Sequence, residues 1–109
     1  MDYIEKILNK KRKKLEAERQ KHIRRIKALL GDIKEIYGIK EAYIVGSLAS
    51  PQKWYEFSDI DVAISGCSGK LLDIMGKIEK VTGKEVDIID LEKHPSSKFL
   101  KREGEKIYG

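Results

Sequence analysis

The segment GSLASPQKWYEFSDID, residues 46–61, decides the fold because it separates two apolar runs that have the composition of β-strands. The first predicted strand, residues 41–45, ends where the segment begins. The second, residues 59–65, opens with Asp59 and Asp61. Successive strand side chains point to opposite faces, so these two carboxylates share a face. We therefore expect two like charges close together at one end of a sheet, where a bound cation would stabilise them.

Helical and strand patterns alternate on both sides of this segment. The N-terminal third contains no Pro, and its apolar residues from Ile23 to Tyr37 recur at the spacing of a helix face that packs on a core. The pattern leaves open whether this helix is continuous or breaks near Lys14 or Gly31. The alternation predicts an α/β layer fold. The predicted elements are a helix over residues 2–37, strands over 41–45, 59–65 and 85–90, a helix over 70–81, and a last short helix containing Phe99, Leu100 and Ile107.

A third acid lies in the predicted third strand. Asp87 is flanked by Val86 and Ile88, which predicts a buried strand. A charge in such a strand is costly unless it is paired or bound to a metal. If this strand lies beside the second one, Asp87 joins Asp59 and Asp61 at one end of the sheet. Clustered carboxylates without nearby Cys or His suit Mg²⁺ or Mn²⁺, and the phosphates of a nucleoside triphosphate commonly complete the coordination of Mg²⁺.

Gly46 and Ser47, directly after the first predicted strand, fit a phosphate beside that cation. Gly lets the backbone approach a phosphate closely, and the N-terminus of a following helix offers free N–H donors. The Ser hydroxyl adds a further donor. Each feature alone occurs in many turns, so the specificity lies in their combination with the three acids.

The net charge of +5 is concentrated in the first third of the chain. Residues 1–37 hold 12 Lys and Arg against 6 Asp and Glu, whereas residues 38–109 hold 11 against 12. The basic run Lys10–Lys14 is either a contact for RNA, a nucleotide or an acidic partner, or the solvated face of an exposed helix. Ile4 and Ile7 lie far from the predicted core, so we expect this end to contact a partner protein or a second copy of the chain.

The length of 109 residues predicts a single domain, with residues 1–21 as a basic helical extension and residues 22–109 as the core. No apolar run has the length of a membrane span, and the first residues lack the pattern of a signal peptide. The lone Cys67 excludes an internal disulfide and a multi-Cys zinc site. We therefore expect a cytoplasmic protein with no membrane contact.

Three motifs carry a family resemblance: Gly46-Ser47, the segment Ser58–Val62 and the segment Val86–Asp90. With them the chain resembles a minimal nucleotidyltransferase of the DNA polymerase β-like superfamily, over roughly residues 22–109. The resemblance implies a small mixed β-sheet flanked by helices, and the Mg²⁺-dependent transfer of a nucleoside monophosphate, AMP from ATP, to a hydroxyl group. Small members of the superfamily are often antitoxins that pair with a helical HEPN toxin, and some adenylylate that toxin.

The resemblance also implies roles for individual residues. Asp59 and Asp61 match the paired metal ligands, and Asp87 matches the third carboxylate, which completes a metal site and acts as general base. Gly46 and Ser47 match the triphosphate-binding pair. Many relatives continue with Ala-Arg-Gly, whereas this chain has Ala49-Ser50-Pro51. The missing Arg removes a phosphate contact for which Lys53 is a candidate replacement.

Other interpretations of the acids stay open. Asp59 and Asp61 can instead cap a turn and line an exposed strand. Asp87 can be an edge-strand acid paired with a Lys such as Lys84. Asp90 lies an odd number of residues from Asp87, so it faces the other way and is expected to be a strand-end or turn acid.

Two further functions are compatible with the sequence. A catalytically silent domain of the same fold would neutralise a partner by contact, as an antitoxin module. A nucleic-acid binder would use the basic N-terminal helix. Trp54, Tyr55 and Phe57 can stack on a base or contact a partner, although at least two of them are expected in the core of so small a domain.

Overall fold

The computed structural model describes residues 2–67 and 69–109 and has the predicted mixed α/β architecture. Its four strands form one sheet in the order β3-β2-β1-β4. Strands β2 and β3 run parallel, and β1 is antiparallel to both of its neighbours. The elements are α1 (Tyr3–Tyr37), β1 (Glu41–Val45), a single 3₁₀ turn (Gly46–Ala49, the Gly-Ser turn), β2 (Ile60–Ser65), α2 (Leu71–Thr82), β3 (Val86–Asp90), α3 (Ser97–Glu103) and β4 (Glu105–Tyr108).

The C-terminal segment differs from the prediction, which assigned Ile107 to the last helix. Helix α3 ends at Glu103 because Gly104 is extended (φ −83°, ψ 171°), and residues 105–108 pair with β1 instead. Pairing with the open edge of β1 satisfies backbone groups that would otherwise be exposed. Ser96 occupies the N-cap position of α3, but its side chain makes no capping hydrogen bond.

Helix α1 is continuous past Lys14 and Gly31, so neither position breaks it. Asp2 caps its start by accepting a hydrogen bond of 2.8 Å from the Glu5 N–H, and Gly38 ends it in the left-handed conformation (φ 71°). Thirty-five residues at about 1.5 Å each give a length close to the 52 Å long dimension of the molecule. Among the described residues, no helix is both long and apolar enough to cross a membrane.

Helices α1 and α2 cover the back face of the sheet, which carries Ile44, Val62 and Ile88. The predicted stripe on α1 packs on this face, where Ile26 and Leu30 are almost fully buried. Burying aliphatic side chains on this scale is the main stabilising contribution to the domain. The other buried members of this core include Ile23, Ile39, Leu48, Trp54, Ile60, Ile64, Ile74, Ile78 and Val86.

The front face, which carries Val45, Asp61 and Asp87, has a much smaller apolar cluster. Tyr43, Val45, Ala63 and Leu91 form it, and Ile89 and Leu100 pack against it. Helix α3 therefore covers part of the front face, while Asp61 is half-buried and Asp87 is exposed.

The long connection between β1 and β2 is anchored by one aromatic residue, so the expectation that two or more of its aromatics lie in the core is wrong. Trp54 is 2% exposed, whereas Tyr55 and Phe57 are 62% and 88% exposed. The Trp54 ring meets the buried His22 edge-on with centroids 5.5 Å apart, and Lys84 Nζ lies 5.2 Å from its centroid. One deep anchor is enough here because the loop runs over the surface beside α1.

We predict that Gly104→Ala lowers the free energy of unfolding by about 1–3 kcal/mol, because an added methyl has no room. A Cβ at this position would lie 2.8 Å from the carbonyl oxygens of Ile44 and Leu100 and 2.9 Å from Val45 Cγ1. Gly31→Ala is the matched control, since a Cβ there meets nothing within 4 Å and helix propensity favours Ala by about 0.5–1 kcal/mol. Urea denaturation measures both, and equal effects of the two changes would contradict the packing described.

Candidate functional site

Three residues in register form a row across the front face. Val45 on β1 pairs with Asp61 on β2, and Asp61 pairs with Asp87 on the parallel strand β3. Directly paired residues project to the same face, so the two carboxylates are cross-strand neighbours. Asp59 is exposed and immediately precedes β2, which begins at Ile60 and not at residue 59 as predicted. The structure thus places all three predicted acids at the same end of the sheet.

The charges around Asp61 act on one another. Burial is the main cause that raises the pKa of the Asp61 carboxyl, and the negative charges of Asp87 and Asp59 raise it further. The ionised form of Asp61 therefore costs free energy in the folded chain. A cation between these carboxylates would offset that cost, which is the electrostatic condition for a metal site.

The Gly-Ser turn is packed directly against Asp61. Gly46 has φ +68°, and a Cβ built on it would lie 2.6 Å from Oδ2 of Asp61. Only Gly combines this conformation with so close an approach of a carboxylate. Ser47 Oγ lies 3.4 Å from the carbonyl oxygen of Asp59, at the limit of a hydrogen bond. The turn and both acids consequently form one unit.

The donor set at this unit consists of carboxylate, hydroxyl and backbone groups, which suits a hard cation such as Mg²⁺ or Mn²⁺. The fit is one of charge: Gly46 lets the turn lie directly against the Asp61 carboxylate, and the ionised form of that carboxylate is destabilised by its neighbours. In the described part of the chain, no three His, Cys, Asp or Glu side chains are assembled as a ready-made metal site. The set Asp59, Asp61 and Asp87 accordingly stays a prediction.

Three further charged residues near the acids contact different groups. They are Lys53, Lys84 and Asp90. Lys53 is exposed, and together with Gly46 it lines a pocket of about 530 Å³ beside the Gly-Ser turn. Lys84, the suggested partner of Asp87, instead donates to the carbonyl oxygen of Glu56 and lies over the Trp54 ring. Asp90 accepts a hydrogen bond of 3.0 Å from the Glu92 N–H, as a turn acid does.

Arg19 is a residue of this region that sequence reasoning missed. Its side chain is buried, and Nη1 donates a 2.8 Å hydrogen bond to the carbonyl oxygen of Leu48 in the Gly-Ser turn. Nε and Nη2 each donate a 2.9 Å bond to Glu16. Two features of the sequence indicate this role. Arg19 lies four residues before Ile23, on the core-facing stripe of the helix, and three residues after Glu16, within reach of an ion pair. Arg19 therefore fixes the turn to helix α1.

The sequence profile of the family described as "Polymerase beta, Nucleotidyltransferase" matches residues 25–109. The chain belongs to this nucleotidyltransferase family. The match includes the Gly-Ser turn, all three acids and β4. The resemblance inferred from the motifs is thereby confirmed at the level of family and fold. No protein with a curated function matches the sequence.

Three solved structures with the same fold come from toxin–antitoxin complexes. A chain of a toxin–antitoxin complex with AMP-PNP has a TM-score of 0.62 and 16% identity, covering 76% of this nucleotidyltransferase and 73% of that chain. A chain of the MntA-HepT toxin–antitoxin has a TM-score of 0.53 and 20% identity, covering 86% and 72%.

A chain from the complex of a tri-AMPylated Shewanella oneidensis HEPN toxin with an MNT antitoxin has a TM-score of 0.54 and 15% identity, covering 77% and 70%. At these identities the similarity shows the fold alone.

We predict that Arg19→Met lowers the free energy of unfolding by about 1–3 kcal/mol, because the buried carbonyl of Leu48 loses its donor. Amide exchange at Ser50, whose N–H bonds the Ser47 carbonyl, should accelerate with it. Arg24→Met, at an exposed position of the same helix, should change stability by less than about 0.5 kcal/mol. Denaturation and hydrogen exchange measure the difference. Unchanged exchange in Arg19→Met would contradict a role in holding the turn.

The Glu16–Arg19 ion pair also makes the contribution of Arg19 to stability depend on pH. Hydrogen bonds from Arg19 and then Gln20 hold the pKa of Glu16 below its ordinary value. A lowered folded-state pKa contributes stability above the ordinary Glu pKa, and this contribution disappears as the pH falls through the lowered value. The part of the Arg19 contribution to stability that depends on ionised Glu16 should therefore be present at neutral pH and absent in strong acid.

Proposed function

We propose that this nucleotidyltransferase transfers AMP from ATP to a hydroxyl group on a partner protein, in a Mg²⁺-dependent reaction. The observation that carries the proposal is the packing of Gly46 against the half-buried Asp61 carboxylate, in register with Asp87. This arrangement joins a phosphate-binding turn to a pair of acids on one open face. Membership of the family and the fold shared with toxin–antitoxin proteins support it.

The strand order supports opposite sides of Asp61 for the two proposed substrates. The Gly-Ser turn follows β1, so the triphosphate lies toward β1, with Ser47 and backbone N–H groups as donors. Asp87 lies on β3, at the other side of the row and exposed to solvent, so the acceptor hydroxyl approaches there. In the proposed arrangement the hydroxyl and the leaving group are on opposite sides of the transferred phosphorus, as in-line transfer requires.

In the proposed reaction, the acceptor oxygen attacks the α-phosphorus of ATP and forms a new P–O bond. The bond from the α-phosphorus to the bridging oxygen breaks, and pyrophosphate leaves. The Asp87 carboxylate accepts the proton of the hydroxyl. Bound Mg²⁺, held by Asp59, Asp61 and Asp87, would lower the hydroxyl's pKa and neutralise charge on the phosphates.

Lys53 takes the place of the cation missing from the turn. Ser50 and Pro51 stand where many relatives have Arg and Gly, so the turn itself carries no charge for the phosphates. Lys53 follows within one turn of chain, its N–H bonding the Ser50 carbonyl at 3.1 Å, and it lines the same pocket as Gly46. Its mobile ammonium group can neutralise the β- and γ-phosphates as a point charge.

The first part of α1 is the surface proposed for the partner. Tyr3 and Ile4 are 78% and 68% exposed, and Ile7 and Leu8 are each 48% exposed. Ile4, Leu8 and Leu15 share one helix face, because they lie four and seven residues apart. An apolar stripe of this kind packs against protein and has no use in phosphate contacts, which favours a protein partner over RNA or DNA.

The charge on this part of α1 indicates the chemistry of the partner. Residues 3–14 contain six Lys and Arg and one Glu. A second copy packed against the same segment would oppose like charges, whereas an amphipathic partner with acidic flanks would be complementary. The stripe leads into a groove of about 530 Å³ between Arg12, Leu15 and the loop from Pro51 to Tyr55. A partner docked along it would reach the loop that carries Lys53.

Transfer is tested with ATP labelled on its α-phosphate, Mg²⁺ and a purified HEPN-type partner. We expect the label on the partner, and a rate at least about a hundredfold lower in Asp59→Asn, Asp61→Asn or Asp87→Asn, because each removes a charge that the transition state requires. Asp90→Asn is the matched control, since that acid serves a turn. ATP labelled on the γ-phosphate should leave no label.

Binding of the partner without any transfer would overturn the proposed reaction and favour a catalytically silent antitoxin module. Transfer that all three Asn variants retain would overturn the site.

The partner surface is tested by replacing Ile4 and Leu8 together with Ser. We expect the affinity for the HEPN-type partner, measured by titration calorimetry, to fall by about tenfold or more, since exposed apolar anchors are lost. Leu72→Ser, at a 79% exposed position on α2, should leave the affinity unchanged. Unchanged affinity in the double variant would place the partner elsewhere. Conversion of a dimer to a monomer would assign the surface to a second copy.

A further inference from the structure

We propose that the pocket beside the Gly-Ser turn binds the nucleoside part of the triphosphate, with the ring of Phe99 stacking on the base. This inference rests on the proposed function and adds to it a binding site on helix α3. The pocket has a volume of about 530 Å³, within the range of small-molecule sites. Its lining comes from β1, the loop after it and the end of α3: Val45, Gly46, Ala49, Ser50, Lys53, Phe99, Leu100, Glu103 and Gly104.

The position of the pocket selects the nucleoside as its occupant. It opens at Gly46, the residue packed against the Asp61 carboxylate, and it extends toward α3 on the β1 and β4 side of the sheet. Asp87, where the acceptor approaches, lies on β3 at the opposite side. A triphosphate held at the Gly-Ser turn and Lys53 therefore has this pocket next to it for its ribose and base.

The wall of the pocket formed by α3 is held in place by close packing. Gly104 brings the end of α3 against β1, with no space for a Cβ beside the Ile44 carbonyl and Val45. Leu100 packs on the apolar cluster of the front face. Lys101 Nζ forms an ion pair of 2.6 Å with Glu41 Oε2 at the start of β1. Contacts of this kind restrict the position of the stacking ring before the ligand binds, which lowers the entropic cost of binding.

Phe99 has the properties of a stacking residue. It lines the pocket and is 52% exposed, so its ring is available to a ligand. The Arg102 guanidinium lies 5.5 Å from the ring centroid and gives the ring a cation–π partner. Stacking of a base on an aromatic ring contributes about 1–3 kcal/mol and accepts any base, because every base has a π face. Phe99 thus accounts for affinity, and not for a choice among bases.

The test compares two ligands that share only the phosphate groups. Titration calorimetry with Mg²⁺ and either ATP or inorganic tripolyphosphate separates the pocket from the phosphate-binding turn. For Phe99→Ala we expect about tenfold weaker binding of ATP and unchanged binding of tripolyphosphate. Phe57→Ala is the matched control, because Phe57 is 88% exposed and does not line the pocket. It should leave both affinities unchanged.

Phe99→Leu keeps an apolar side chain and removes the π face. It should reproduce most of the loss, and circular dichroism of both variants verifies that they are folded. Unchanged ATP affinity in Phe99→Ala, with both ligands bound by the wild type, would overturn this inference alone. If the wild type binds neither ATP nor tripolyphosphate, the proposed function is overturned together with this inference. If Phe99→Ala binds ATP normally but transfers AMP to the partner more slowly, the pocket belongs to the acceptor and the inference is overturned.

Discussion

The contact between Gly46 and the Asp61 carboxylate links the fold of this chain to its proposed chemistry. Asp61 lies half-buried on a sheet face, where its charge is destabilised by burial and by two neighbouring acids. Gly46 has no side chain, so the turn after β1 can approach that carboxylate closely. A larger residue would separate the turn from the acid. The charge on Asp61 and the backbone donors of the turn are thereby held together, and a Mg²⁺-bound triphosphate has the complementary charge to connect them.

The rest of the structure keeps that contact accessible. The two long helices and nearly all of the aliphatic core lie on the back face, so stability does not depend on filling the front face. Arg19 connects the back to the front, because its guanidinium bonds the carbonyl of Leu48 while its helix packs on the core. The same helix continues past the sheet as a basic segment with an apolar stripe, so one element serves both the turn and the proposed partner surface.

The sequence was sufficient for the features set by local pattern. Strand alternation predicted a shared face for Asp59 and Asp61, Asp87 was expected beside them if the third strand paired with the second, and helical spacing predicted the buried face of α1. Strand β4 was missed because four residues after Gly104 carry too short a pattern, and only the free edge of β1 makes them a strand. The role of Arg19 was missed because it depends on a hydrogen bond to the carbonyl oxygen of Leu48, 29 residues later in the sequence. Burial of Trp54 but not Phe57 is likewise decided by tertiary packing.

The most direct test of a cation site at the Gly46–Asp61 contact is an NMR titration with Mn²⁺, whose unpaired electrons broaden signals of nearby nuclei. At substoichiometric Mn²⁺, we expect the amide signals of Gly46, Asp61 and Asp87 to broaden first, and excess Mg²⁺ to restore them. Signals of Gly31 and Gly76, on the helices of the back face, should broaden less at the same Mn²⁺ concentration. Broadening centred on another acidic region, or spread evenly over the surface, would contradict a cation site at the Gly46–Asp61 contact.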